Sequence, residues 1–340
     1  MSSVTLSLKE IYQNFQNENP KVRIRDAAKQ LGVSEAELLA TSIGEGVVRL
    51  SGDFRELMKQ IPSLGYVMAL TRNESCVHER KGKYEKVSFN NHVGLVLGED
   101  IDLRLFMSHW KFGFAVESQN KSFQFFDENG NAVHKIFLQE SSNVTAYQDI
   151  VSTFRDTEQS ELLEVIPEIE FTAPPANPDL DVEAFQEAWL KLEDTHQFFP
   201  LLQKFGVNRQ QALAYAPEGY AQKVSVEQVK QVLEEVSSTN TEIMIFVSSK
   251  GCIQIHTGLV QKLVSMGPWF NVLDPQFNLH LREDHIAEAW LVKKPTNDGI
   301  VTSLELFDEN FQQIALIFGK RKPGKPELEA WRVALEKFIN

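Results

Sequence analysis

The sequence has only two cysteines, Cys76 and Cys252, in 340 residues. Two thiols can build neither a disulfide framework nor a zinc site by themselves. No stretch of about 18 apolar residues is present, so no membrane span is expected. The N-terminus MSSVTLSLKEIYQNF has no basic segment followed by an apolar one, so it is not read as a secretory signal. Few cysteines and no export signal point to the cytoplasm. There is no HExxH, no CxxC, no GxGxxG after a strand, no P-loop and no GxSxG. The common hydrolase, nucleotide-binding and zinc-enzyme signatures are therefore missing, and a bound cofactor could carry the chemistry. Positive charge is also short: 34 Lys and Arg against 47 Asp and Glu, net −13. Such a balance argues against nucleic acid or an anionic membrane as a partner. What is abundant is phenylalanine, 23 against six Tyr and five Trp, a large supply of flat apolar surface.

The chain repeats itself. Shifting residues 67–112 by 176 gives Met68/Met244, Cys76/Cys252, Gly82/Gly258, Leu103/Leu279, Leu105/Leu281 and His109/His285. At a shift of 181, SFQFFDEN (122–129) falls on SLELFDEN (303–310). The change of five lies where the second copy has the longer turn PTNDG (295–299). Upstream, QLGVSEAELLA (30–40) matches KFGVNRQQALA (204–214) at a shift of 174. Order is kept while the shift drifts, as in a tandem duplication of a domain. Between the copies, residues 156–182 are acidic and hold Pro167, Pro174, Pro175 and Pro178, which break helix and central strand alike. We read an N-terminal repeat (1–155), a linker (156–182) and a C-terminal repeat (183–340); a surface loop is the alternative for the middle segment.

Each copy begins helical and turns to strands. Ser34 and Glu37 make a capping box, and Asn208 takes the equivalent cap. Residues 184–204 have helical apolar spacing, with Pro200 expected to end or kink that helix. Short alternating segments follow, from EIMIFVSS to QIALIF, joined by turn residues. The expected fold class is α+β, each half a large antiparallel sheet with packed helices. The C-terminal segment 326–339, with Trp331, is expected to pack on the sheet.

Among eight histidines, His196 stands in Asp194-Thr-His-Gln-Phe-Phe199. Neutral imidazole is a good haem ligand and phenylalanine lines porphyrins well. Spacing alone favours the other reading, a half-buried histidine with a local hydrogen bond. Arg104 alternates with Leu103 and Leu105 on a strand, facing a ligand or solvent; its counterpart is His280. His109 and His285, kept in both copies, suit a structural role.

Taken together, Thr71-Arg-Asn-Glu, Val77-His-Glu, Asp102-Leu-Arg-Leu-Phe, Asp194-Thr-His-Gln-Phe-Phe, Asn208-Arg-Gln-Gln-Ala, Ile286-Ala-Glu-Ala-Trp and Lys294-Pro-Thr-Asn-Asp-Gly resemble the bacterial hemin-degrading and hemin-trafficking proteins of the HemS/HmuS/ChuS type. The resemblance runs over nearly the whole chain. It implies a haem cleft whose main site is in the C-terminal half. His196 would be the axial ligand of the iron and Arg104 the distal residue. Arg209, Lys294 and Arg321 would lie near the propionates, where arginine can hold a carboxylate bidentately. Phe199 and Phe318 would give apolar contact; Ile300 and Phe318 stand where family members often carry tyrosine. A second haem site in some relatives would correspond to His78. The implied activity is ring opening with iron release, haem being both cofactor and substrate, with NAD(P)H or a reductase as electron donor. The other class is a haem chaperone or buffer that takes haem from an inner-membrane importer; a soluble protein with an unrelated ligand is the third.

Overall fold

A computed structural model describes residues 6–90, 93–118, 120–168, 175–322 and 324–339. Pro174 and the first five residues, named above, lie outside them, as does His92, one of the eight histidines. The chain forms two compact units, the first comprising Met1–Arg72, Glu79–Ile169 and Ser249–Gln254, the second Asn73–His78, Glu170–Ser248 and Ile255–Asn340.

The first repeat opens with helices α1 (Leu8–Glu18), α2 (Ile24–Leu31) and α3 (Glu35–Ala40). Ser34 accepts from the Glu37 backbone while Glu37 reaches back, so the capping box starts α3 as expected. Then come β1 (Val47–Leu50), α4 (Phe54–Gln60), β2 (Tyr66–Arg72), β3 (Cys76–Lys83), β4 (Ser88–Phe89), β5 (Gly94–Leu97), β6 (Asp102–Leu105), β7 (Phe112–Val116), β8 (Ser122–Phe126), β9 (Ala132–Leu138) and α5 (Val144–Phe154). Five of the strands form an antiparallel ladder in the order β1-β7-β8-β9-β2. A second ladder joins β4, β5 and β6. Residues 156–168 are held to this unit: the Gln159 side chain bonds both backbone groups of Arg49, and the Ile166 N–H donates to Glu128.

The second repeat runs α6 (Val182–Leu190), α7 (Phe198–Phe205), α8 (Arg209–Ala214), β10 (Ala221–Val224), α9 (Val226–Ser238), β11 (Ile243–Ser248), β12 (Cys252–Gly258), β13 (Leu263–Met266), β14 (Trp269–Leu273), β15 (Phe277–Arg282), β16 (Glu288–Thr296), β17 (Gly299–Phe307), β18 (Gln313–Gly319) and α10 (Glu329–Phe338). Its ladders are β10-β16-β17-β18-β11 and β13-β14-β15, the same order as in the first repeat. Even the register agrees. Met68 faces Phe137 across β2 and β9, and Met244 faces Phe318 across β11 and β18. The α+β duplication thus holds at the level of single residue pairs.

Two expectations need correction. The apolar run 184–204 is not one helix broken at Pro200. It stops at Leu190, turns through a short 3₁₀ segment at Thr195–Gln197 and restarts as α7. Pro200 lies in the first turn of α7, where no intrahelical N–H is needed. The five extra residues of the second copy also do more than enlarge a turn. Strands β7 and β8 end at Val116 and start at Ser122, whereas β16 and β17 continue to Thr296 and from Gly299. The insertion therefore lengthens a hairpin, and Lys294 lies in the added part.

The core of the second unit places α9 and α10 on the sheet, with Val229, Val232, Leu233, Trp331 and Leu335 packed among Ile245, Leu304 and Ile317. Trp331 is fully buried and its indole N–H donates to the Thr302 carbonyl at 3.0 Å.

Candidate functional site

His196 sits in the 3₁₀ turn between α6 and α7. Asp194 caps that turn, accepting from the His196 backbone N–H at 2.7 Å and from its Nδ1 at 2.5 Å. The backbone hydrogen bond first, and the imidazole second, hold the Asp194 carboxyl below its ordinary range. The side chain of His196 is 93% exposed. It is therefore not the half-buried histidine that spacing allowed. With Nδ1 on a carboxylate, Nε2 is the ring nitrogen that can meet a metal, the arrangement in which a carboxylate fixes tautomer and orientation. The turn is anchored by the lengthened hairpin: Asn297 at its tip donates to the Glu193 carbonyl at 2.9 Å, and Gln197 Oε1 accepts from the Glu193 N–H. Phe199, three residues on, is 65% exposed, a large apolar side chain left at the surface. Phe198 turns inward and joins Phe185, Trp189 and Leu202 in the core beneath. Arg321, half-buried, acts electrostatically on Asp194.

A second cluster in the same unit joins three charges. The Glu305 carboxylate is fully buried and accepts from Arg209 Nε (2.8 Å) and Nη2 (2.7 Å), Lys294 Nζ (2.7 Å) and Ser303 Oγ (3.0 Å). Burial alone would raise its pKa, but the two cations pull it down to about 2. Burial, aided by Arg209 and opposed by Glu305, leaves Lys294 below the ordinary lysine value. Phe198 lies under both cations, its ring centre 4.6 Å from Lys294 Nζ and 5.3 Å from the Arg209 guanidinium carbon. Sequence position alone carried no sign of Glu305. The signal available was its replacement of Gln124 in the other copy.

The remaining expected residues lie elsewhere. Phe318 is half-buried and packs edge-on against Phe246. Arg104, on β6 of the first unit, pairs with the Asp102 carboxylate and its own neighbour's carbonyl, while Leu103 and Leu105 are buried on the opposite face. His78 is fully buried, edge-on to Phe277, whose other neighbour is the stacked ring of His256. His285, in the short turn after β15, meets Ser75 Oγ at 3.0 Å. A cavity of about 430 Å³ in the first unit, with Arg49, Arg55, Trp110 and Lys111 among its walls, includes none of the expected residues.

These features define a class of duplicated α+β proteins, here with a carboxylate-oriented, solvent-facing imidazole in the second repeat. Comparison with known proteins gives the family. The profile of the Haemin-degrading HemS.ChuX domain matches twice, over residues 32–154 and 206–338, and the chain belongs to this family. It is 39% identical to the hemin transport protein HemS of Yersinia enterocolitica, over 98% of each chain. Among solved structures it is similar to holo-PhuS, a heme-binding protein from Pseudomonas aeruginosa, with 44% identity, a TM-score of 0.93 and coverage of 97% of this chain and 98% of that one. It is also similar to the heme degrading enzyme ChuS of Escherichia coli O157:H7, with 35% identity, a TM-score of 0.89 and the same coverage. Among the described residues no helix is long and apolar enough to cross a membrane.

Proposed function

We propose that this protein binds haem in the cytoplasm, with His196 as axial ligand, and degrades it with release of iron. The observation that carries the reading is the His196–Asp194 pair: an exposed imidazole whose Nδ1 is already held by a carboxylate. The exposed Phe199 of the following helix offers a flat apolar contact, and Arg209 and Arg321 offer charge for carboxylates, so the residues present fit a porphyrin with two propionates. Bound haem would supply both the iron and the ring that is opened. Residues of the chain orient it, neutralise its carboxylates and keep one iron face for the imidazole. Arg104 is the candidate distal donor to the bound haem; its guanidinium donates to Asp102 and to a neighbouring carbonyl. A second site at His78 would require that ring to leave its packing against Phe277. The bounds 1–155, 156–182 and 183–340 belong to the same proposal as two haem-family repeats and their connection.

A transport reading stands beside it, favoured by the name of the Yersinia relative and by the heme-binding description of PhuS. There the protein would receive haem from an inner-membrane importer and pass it on. Hemin titration of wild type and His196→Ala tests the site; an unchanged Soret spectrum in the variant would falsify the ligand assignment. Adding NADPH with a reductase, or ascorbate with catalase, separates the two roles. Loss of the Soret band with iron release means degradation, and a stable band means transport.

A further inference from the structure

The cavity of about 430 Å³ in the first unit has no part in the haem reading. Its volume lies in the ordinary range for small-molecule sites. Part of its wall is apolar: Phe54, Trp110 and Phe112 line it and are nearly buried. Trp110 is fixed in place, its indole N–H donating to the Gly251 carbonyl at 3.0 Å and its ring centre 4.6 Å from that of Phe125. Three cations, Arg49, Arg55 and Lys111, and two carboxylates, Asp53 and Asp156, also line the cavity.

These charges are not matched. Arg49 is answered by Asp156, with Nε and Oδ2 3.5 Å apart. Asp53 is engaged as the cap of α4, accepting from the Arg55 backbone N–H at 2.9 Å. The side chains of Arg55 and Lys111 are exposed, and among the described residues neither has an ion-pair or hydrogen-bond partner. A chain of net charge −13 thus keeps two unanswered cations on one cavity.

The second repeat has lost this place. Three residues separate β1 from α4, including Gly52 at φ +103°, whereas Ser225 alone separates β10 from α9. Asp53 and Ser225 are the two caps, so Arg55, two residues on, corresponds to Glu227. The Lys111 N–H donates to the Phe126 carbonyl as the Ala287 N–H does to Phe307, so Lys111 corresponds to Ala287. Phe112 pairs with Phe126 as Glu288 pairs with Phe307, and Glu288 binds Lys223, the counterpart of Arg49, at 2.9 Å. Both unanswered cations and one aromatic wall are therefore absent from the second copy. The shared fold does not require them.

We propose that the first-repeat cavity is a binding site for a small aromatic acid, whose flat body lies against Trp110 and Phe112 and whose carboxylate is held by Arg55 and Lys111. The walls select this class. Aromatic rings favour a flat apolar body, and a guanidinium and an ammonium without a carboxylate of their own favour an anion. The site is independent of the haem reading.

The test uses 2-naphthoate and its uncharged amide, 2-naphthamide, in equilibrium dialysis with and without saturating hemin. Wild type is expected to bind the acid more tightly than the amide, equally with hemin present, and less tightly as salt is raised. In the double variant Arg55→Ala/Lys111→Ala, acid affinity should fall about 5-fold or more. Amide affinity, circular dichroism and hemin titration should stay at wild-type values. Arg55→Glu, which brings in the charge found at this position in the second repeat, should also weaken the acid and spare the amide. Unchanged acid affinity in these variants, equal loss of acid and amide, displacement of the acid by hemin, or a wild type that binds neither overturns the proposal.

Discussion

At the scale of single residues, the decisive contact is one the sequence contained but did not advertise. Asp194 lies two positions before His196, and the helical reading of 184–204 puts residues so spaced on opposite sides of the helix. Only the 3₁₀ turn aims both groups at each other. Carboxylates that orient a metal-binding imidazole typically matter about 10–100-fold in affinity or activity. Asp194→Ala should therefore weaken hemin binding by about that factor while the axial-histidine spectrum survives, and Asp194→Asn, which can still accept from Nδ1, should recover part of it. Optical titration checks both. A variant that binds as tightly as wild type would reduce Asp194 to a helix-turn cap. His196, Arg209 and Lys294 were legible as candidates because short motifs carry them. Glu305 was not, because a lone glutamate in an alternating strand reads as a solvent-facing residue, whereas β17 is buried on both faces.

Among elements, the lengthened β16–β17 hairpin ties the site to the fold. Its tip bonds the Glu193 carbonyl just before the histidine turn, and its shaft supplies Lys294. The first repeat shows that the shorter hairpin is compatible with the fold. Deleting residues 295–299 should leave circular dichroism and cooperative unfolding close to wild type. Hemin coordination by His196 should weaken, because the turn loses its anchor and rotates freely. Unchanged coordination would show that Asp194 suffices. Helix α10 gives a stability counterpart. A Cβ on Gly319 would come within 2.6 Å of the Trp331 ring, which is itself fully buried. Gly319→Ala should cost on the order of 1–3 kcal/mol by overpacking, read from denaturant midpoints. Strand positions in this half were legible from alternation. The missed ones, β10 and β13, are short and largely exposed, so they lack a buried face to alternate against.

Considered whole, the molecule is two copies of one plan whose buried polar groups have diverged, and that divergence sets its response to acid. The duplication was legible because identities survive at matched spacing; the polar contents were not, since they depend on which strands meet. In the first unit, fully buried His134 bridges Thr71 Oγ1 (2.8 Å) and Tyr84 OH (2.6 Å). The matching positions of the second unit are Ala315, Val247 and Val260, all in its apolar core. Burial pushes the His134 pKa down to about 3. Below the unfolded value near 6.5 the unfolded chain takes up a proton that the folded unit refuses, so stability falls as pH drops from about 6.5 toward 3. Glu35 and Glu305 are each held near 2. Their stabilisation is complete above an unfolded value of about 4.5 and is lost below it, one carboxylate in each unit. Between pH 6.5 and 5, then, refusal of a proton by His134 should weaken the first unit by on the order of 1–2 kcal/mol. Native-state hydrogen exchange, corrected for the intrinsic rate, should show it as reduced protection in β8 and in β9, the strand that carries His134. His134→Gln should abolish that pH dependence, although the variant is less stable at pH 7. A pH dependence of β8 and β9 that survives in His134→Gln would move the acid response away from His134.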